Sequence, residues 1–344
     1  MFAQKYKISK HTISNNHRAL IIAEVGINHE GSFSKCIKLI NQANSAGADL
    51  IKLQIIDPES SYEPNTFSHK IFQKSKLTKE EIFNIYKICK KRNIKIFSTF
   101  DKKNFSFFKK INQPCYKISS SLFYDYYYIK DVIKTNKPII ISTGLTDIKD
   151  VDVLINLIKK EKNKKIALLH CISLYPTKKN KLNLSRINYF KSKHSIITGF
   201  SDHSLGKEAA VASIHHGAKI LEKHFTLDSK RSSYDHHISL EPKNFKAMVK
   251  EIRKNEQMIG NYDYNIFNKS PDFRKMSKII RSFKLTRDVK KNCYIKKNDF
   301  KLIRTKDSKK ISKFSKIITK IVSNKISKNL KKGTYLSQND FKKK

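Results

Sequence analysis

Two histidines, His203 and His224, each close an apolar run, in the settings Asp202-His203 and Glu222-Lys223-His224. If those runs are adjacent strands, two imidazoles can share one divalent ion and leave positions open for water and substrate oxygens. Taken alone, a strand-end histidine is more often a hydrogen-bonded structural residue. Glu24 and Glu222 are the acid–base candidates. The competing reading for Glu222 is a structural pair with Lys223 or Lys52. Lys52 and Lys117 stand inside apolar runs, where an unpaired ammonium is costly, and this separates them from the other lysines. With the hydroxyls of Thr99, Ser120, Ser142 and Ser173, they make a donor set suited to a compact anion. Gln54 and Tyr175 are lining candidates.

Positioning these groups takes a regular scaffold. Eight short β-branched runs are predicted as strands: 20–24, 50–54, 94–98, 115–118, 138–143, 166–170, 195–200 and 218–224. Segments of helical period lie between them, such as 32–46, 79–92, 147–160 and 205–216, and another follows at 242–258. Apolar strands separated by helices predict a parallel sheet covered on its outer face, and about eight units in about 250 residues have the size of a TIM (β/α)8 barrel. An open doubly wound sheet is the alternative, but no GxGxxG follows the first strand. The polar residues, including Ser98, Thr143, His170 and Asp202, collect at strand C-termini, the face where barrel enzymes keep their chemistry.

The 344 residues carry 72 Lys+Arg against 29 Asp+Glu, a formal charge of +43. Only nine of the 72 are Arg, so the residue best suited to base and phosphate forks is scarce. A solvated lysine surface is favoured over nucleic-acid binding, which stays the alternative from another class. Five scattered cysteines form no CxxC pair, and the apolar run 19–25 is short and broken by Glu24. A cytoplasmic chain with no membrane span is expected.

Past a polar connector, Val-Lys-Lys-Asn-Cys-Tyr-Ile-Lys-Lys-Asn-Asp-Phe (289–300) recurs as Leu-Lys-Lys-Gly-Thr-Tyr-Leu-Ser-Gln-Asn-Asp-Phe (330–341). This predicts a small, mostly β module with internal symmetry. The expected division is a barrel at 1–260, a linker at 261–280 and the small domain at 281–344.

Ordered motifs at the strand ends carry a resemblance. They are Ala-Glu-Val-Gly-Ile-Asn-His-Glu-Gly (23–31), Ile-Lys-Leu-Gln (51–54), Phe-Ser-Thr-Phe-Asp (97–101), Tyr-Lys-Ile-Ser-Ser (116–120) and Ile-Ser-Thr-Gly (141–144). His-Cys-Ile-Ser-Leu-Tyr-Pro (170–176), Gly-Phe-Ser-Asp-His (199–203), Leu-Glu-Lys-His-Phe-Thr (221–226) and Asp-His-His-Ile-Ser-Leu-Glu-Pro (235–242) follow. Together they resemble the N-acetylneuraminate (sialic acid) synthases and their nonulosonate relatives, from about residue 21 to the C-terminus.

The resemblance implies a barrel followed by an antifreeze-like (SAF) domain. It implies a phosphate-releasing condensation of phosphoenolpyruvate with an open-chain N-acetylhexosamine such as N-acetylmannosamine. A diacetamido-trideoxyhexose acceptor, giving legionaminate- or pseudaminate-type products, is the alternative. A Mn2+ or Mg2+ ion at His203 and His224 is implied, as is a homodimer whose small domains reach over the partner's site. Glu24 and Glu222 take the catalytic roles. Lys52, Gln54, Thr99, Lys117, Ser120, Ser142, Ser173 and Tyr175 fall to phosphoenolpyruvate, and Asp235 and Arg304 to the acceptor. Two departures touch the acceptor. Ser121 and Leu122 stand where small-then-acidic residues are usual, and Arg304-Thr305-Lys306 replaces Arg-Pro-Gly. A leucine accepts no hydrogen bond from a sugar hydroxyl.

Overall fold

The computed structural model describes residues 1–260, 280–305 and 314–342. The chain forms two compact units, 1–260 and 261–344. The expected linker at 261–280 lies almost wholly outside the described residues.

In the first unit eight parallel strands close on themselves: β3 (Leu20–Gly26), β4 (Leu50–Ile55), β5 (Ile96–Phe100), β6 (Tyr116–Ile118), β7 (Ile139–Ser142), β8 (Ile166–Cys171), β9 (Ile197–Asp202) and β10 (Ile220–His224). Closure, completed by β10 pairing with β3, excludes the open sheet. Helices α1 (Phe33–Ser45), α4 (Lys79–Lys91), α5 (Phe105–Ile111), α6 (Tyr126–Ile133), α7 (Ile148–Ile158), α8 (Ser185–His194), α9 (Glu208–His215) and α10 (Pro242–Ile259) run between or after the strands. Short helices α2 (Pro58–Ser61) and α3 (Phe67–Lys74) are added after β4. Local chemistry sets the helix starts. Ser32 caps α1, and Thr78 with Glu81 forms a reciprocal capping box on α4.

The two-residue strand period sorts the barrel's contents. Ile21, Ala23, Ile51, Ile139, Ile141 and Leu168 point outward into the main core beneath the helices. Leu20, Ile22, Leu50, Phe97, Cys115, Ile140, Ala167, Leu169, Ile197 and Ile220 point inward and fill the lower barrel. One or two inward steps higher, the same faces carry Glu24, Lys52, Thr99, Lys117, Ser142, Cys171, Ser201 and Glu222. Each strand thus reads apolar at the bottom and polar at the top of one inward row.

The sequence reading overlooked the plug beneath this core. A hairpin of β1 (Lys5–Ile8) and β2 (His11–Ser14) precedes the barrel, and its Tyr6, Ile8 and Ile13 join the inward apolar layer. Four-residue strands among lysines leave too little periodic signal to be recognised alone.

The second unit carries the internal repeat as a pseudo-twofold. Val289 and Leu330, at equivalent positions, exchange both backbone hydrogen bonds, and Asn292 N–H to Ile326 O is mirrored by Gly333 N–H to Leu285 O. Each copy ends in a turn closed by its aspartate, Asp299 on Lys296 N–H and Asp340 on Ser337 N–H, both at 2.8 Å. Arg287 and Lys328 make equivalent pairs to those aspartates. Antiparallel strands β11 (Arg281–Leu285) and β12 (Phe300–Arg304) and helix α11 (Phe314–Ser323) complete the described part. The repeat carried no sign of that helix, which lies between its copies.

Candidate active site

The strand C-termini and following loops surround a cavity of about 640 Å3. Glu24, Lys52, Gln54, Thr99, Lys117, Ser120, Ser142, Ser173, Tyr175, His203, Glu222, His224 and Asp235 all line it. Arg304 belongs to the second unit, where it is exposed at the end of β12.

At the centre, two buried lysines meet two buried glutamates. Lys52 Nζ pairs with Glu24 and lies 2.8 Å from Glu222 Oε2. Lys117 Nζ lies 3.6 Å from Glu222 Oε1 and donates to Ser142 Oγ at 2.7 Å. Ser201 Oγ donates to Glu222 Oε1 at 2.9 Å. The paired reading of Glu222 with Lys52 is therefore observed, and it coexists with a place in the cavity wall. Lys223 instead faces outward and pairs with Asp202 at 3.0 Å, between helix layer and barrel. Burial pulls the Lys52 pKa down to about 8, with Glu222 opposing and Lys117 assisting. Burial also pushes the Glu222 carboxyl up, but Lys117 and Lys52 outweigh it and hold the group ionised well below the usual carboxylate range.

His203 and His224 come from adjacent strand ends, with ring centroids 5.4 Å apart. His203 Nδ1 faces the Ile172 carbonyl at 2.9 Å, which assigns its proton there and leaves Nε2 with a free lone pair. Burial disfavours the His203 cation, but negative charge on the Cys171 sulfur, the Ile172 carbonyl and Glu222 outweigh it and raise its pKa. His224 is held well below its ordinary pKa by burial and by the positive neighbours His203 and Lys52. Its Nδ1 is buried without a hydrogen-bond partner and sits 3.6 Å from Asp235 Oδ2. A neutral imidazole with an unsatisfied nitrogen beside a second imidazole fits a divalent ion. Among the described residues no cluster of three or more His, Cys, Asp or Glu is arranged to hold a metal, so an ion here would rest on two protein ligands. Tyr175 stacks on His203 at 4.1 Å and meets His224 edge-on.

Like Asp202 and Lys223, the strand-end residues His170 and Ser98 face the other way. His170 is fully buried, with Nε2 on the Leu182 carbonyl at 2.6 Å and its ring stacked on Phe200. Ser98 bonds Tyr86. Parity along the strand decides this, and proximity to the strand end does not.

The sequence reading missed several lining residues. Ile27, Ser119, Leu145, Cys171, Ser201, Ser232, Tyr234 and His237 join the wall, as do Phe67, Ser68, Ile71 and Phe72 of α3. Cys171 and Ser201 were recoverable from inward parity; the α3 group comes from an inserted helix with no barrel counterpart. Leu122 packs against the main core and is not part of the lining, which Ser121 joins instead.

Gly144 lies just past β7 and ties together the loops that carry Ser120 and Ser173. Its N–H donates to Ser120 Oγ at 2.8 Å, and its carbonyl accepts from Ser173 N–H at 3.3 Å. A Cβ there would collide with Ser173 Oγ, Cys171 Sγ and Ser120 Oγ. Gly144→Ala is therefore expected to weaken anion binding about tenfold or more while the melting temperature moves little, as read by ligand titration beside a thermal melt.

Comparison with known proteins agrees with this geometry. A model of the NeuB family matches residues 39–264. A pseudaminic acid synthase of Campylobacter jejuni is 30% identical over 308 residues, spanning 85% of this chain and 88% of its own. An N,N'-diacetyllegionaminic acid synthase of the same species is 30% identical over 292 residues, 80% of this chain and 86% of its own. The N-acetylneuraminic acid synthetase of Leptospira borgpetersenii superposes with a TM-score of 0.75 at 28% identity, over 80% of this chain and 96% of that one. With its closed barrel, its inward lysine–glutamate centre and these relatives, the chain belongs to the NeuB family.

Proposed function

We propose that the cavity condenses phosphoenolpyruvate with the open-chain aldehyde of an N-acetylated amino sugar, giving a nine-carbon sialic-acid-type product and inorganic phosphate. The observation that carries this reading is the buried pairing of Lys52 and Lys117 with Glu24 and Glu222, at the inward top of four strands. Two ammoniums with hydroxyls from Thr99, Ser120, Ser142 and Ser173 suit a small polyanion, and the glutamates lie beside it for proton transfer.

The chemistry balances. The methylene carbon of phosphoenolpyruvate attacks the aldehyde carbon, forming the C–C bond, and the aldehyde oxygen takes a proton. Water adds to the electron-poor C2 and loses its proton, and the C2–O bond then breaks to free phosphate and leave a 2-keto acid. Glu24 and Glu222 are placed to carry those protons, while Lys52 and Lys117 hold the phosphate and carboxylate charges. A divalent ion, Mn2+ or Mg2+, is assigned to His203 and His224, where it would supply Lewis-acid polarisation of the aldehyde. Gln54 and Tyr175 border the donor, and Asp235 serves the acceptor. Arg304 is assigned to the acceptor site of a partner copy in a homodimer.

Beyond the lysine–glutamate centre the cavity wall also carries the apolar Ile27, Phe67, Ile71, Phe72 and Leu145 and the hydroxyls of Ser68, Ser119, Ser121 and Ser232, which we assign to the acceptor. Apolar contact favours an acceptor with a deoxygenated methyl end and acetamido methyls, so a diacetamido-trideoxyhexose is the favoured substrate over N-acetylmannosamine. Mass spectrometry of parallel reactions tests this: a product equal to acceptor plus pyruvate is expected for both sugars, with higher kcat/KM for the trideoxy one. Equal or reversed preference would remove the acceptor assignment.

The depressed Lys52 pKa gives a pH prediction. Its ammonium is present below about 8 and lost above it, because burial lowers the folded value from 10.5. The kcat/KM for phosphoenolpyruvate, which reports the free enzyme, should fall as pH rises through about 8, and Lys52→Arg should move that limb upward. A profile flat to pH 10.5, the ordinary lysine value, would show that Lys52 is not the group that meets the anion.

A further inference from the structure

The motif Asn28-His29-Glu30-Gly31 lies just past β3, yet Asn28 and Glu30 do not line the cavity. Their side-chain bonds run to the chain after β10, the segment that brings Ser232, Tyr234, Asp235 and His237 to the wall, or to α1. Asn28 is fully buried, and its side-chain amide is fully used. Nδ2 donates to the Phe225 carbonyl at 3.0 Å and to Ser239 Oγ at 3.1 Å, while Oδ1 accepts from Asp235 N–H at 3.2 Å. Ser239 Oγ donates in turn to the Asp235 carbonyl at 2.6 Å. Asp235 is therefore held at both its backbone N–H and its carbonyl by one short network rooted on Asn28.

Glu30 makes the second tie. Its carboxylate meets His236 Nε2 at 2.8 Å, Arg231 Nη2 at 2.9 Å and Lys35 Nζ at 2.7 Å. His236 is itself buried, with Nδ1 on Thr226 Oγ1 at 2.5 Å. The loop is thus pinned at Arg231, before its cavity-facing residues, and at His236, between Asp235 and His237.

We infer that Asn28 and Glu30 are positioning residues for the acceptor sugar, acting through Asp235 by fixing the loop after β10. They touch no reacting atom, and the lysine–glutamate centre that serves the donor receives none of their bonds. The two halves of the reaction should therefore respond differently when these ties are cut. The inference rests on the synthase reading and on the assignment of Asp235 to the acceptor.

The test uses the full chain with phosphoenolpyruvate, Mn2+ and whichever N-acetylated hexose the wild type consumes. Asn28→Asp keeps the acceptor for Asp235 N–H and loses both donors; Glu30→Gln keeps an oxygen for His236 and loses the charge on Arg231 and Lys35. Each variant is expected to raise the acceptor KM about tenfold, the size of one or two lost hydrogen bonds, with the phosphoenolpyruvate KM within about twofold of wild type. Combined with Asp235→Asn, Asn28→Asp should add almost nothing further, because both act on one contact. Phosphoenolpyruvate KM rising in step with the acceptor KM, an unchanged acceptor KM, or full additivity with Asp235→Asn would overturn it. Circular dichroism and thermal melts confirm that each variant is folded; if Asn28→Asp does not fold, Glu30→Gln decides alone. A wild type that consumes no acceptor would instead refute the synthase reading and leave the positions of these residues unaffected.

Discussion

Replacing Glu222 with Gln should cut kcat by about a hundredfold or more while the protein stays folded. The size follows from the company the carboxylate keeps. Glu222 is met by Lys52, Lys117 and Ser201 in a site where it is 5% exposed. In the proposed reaction it would transfer a proton, and it carries half of the negative charge that keeps two ammoniums in a barrel interior. Gln keeps the shape and the hydrogen bond from Ser201 but removes the charge, leaving Glu24 alone against two lysines. Uncompensated buried charge costs roughly 3–5 kcal/mol when one partner of a pair is lost, so one lysine is expected to shed its proton at neutral pH. Steady-state rates with a direct measurement of phosphoenolpyruvate affinity separate the two consequences. Normal turnover by the variant would end the catalytic assignment.

The second large effect concerns the histidines. His203→Ala or His224→Ala should abolish turnover, by about a thousandfold, and with it the dependence on added divalent ion. Each removal leaves a single imidazole, which is too few ligands to hold Mn2+ at ordinary concentrations. Binding of Mn2+ followed by electron paramagnetic resonance should disappear in step with activity, with the melting temperature of the ion-free protein nearly unchanged. Either variant keeping metal-dependent turnover would show that the ion, if used, is held elsewhere.

Both effects were foreshadowed by residues that parity places on one face. The alternation Leu20, Ile22, Glu24 or Ile220, Glu222, His224 carries fold and site together, because the same inward row is apolar below and chemical above. His170 shows the limit of reading strand ends without parity: it sits one residue out of phase with Cys171 and faces the helix layer. The α3 wall of Phe67, Ile71 and Phe72 was illegible for a different reason. It belongs to an insertion between β4 and α4 that no period connects to the barrel mouth. The N-terminal plug escaped notice because its Tyr6, Ile8 and Ile13 acquire meaning only against the inward apolar layer. Leu122, which looked like a change in the acceptor wall, packs into the main core instead.

The large positive charge now divides into two populations. Lys52, Lys117 and Lys223 are buried and paired with carboxylates, Lys52 and Lys223 with one on a neighbouring strand and Lys117 with Glu222 across the barrel. Most of the other lysines in the first unit are surface groups whose pairs, such as Lys134 with Asp131, are exposed and add little to stability.

The central claim is tested most directly by acceptor-dependent phosphate release. The purified chain is incubated with phosphoenolpyruvate and Mn2+, with and without a panel of N-acetylated hexoses. The expected result is one phosphate released for each sugar consumed, none without sugar, and loss of release on chelation. No phosphate release with any sugar in the panel would contradict the account.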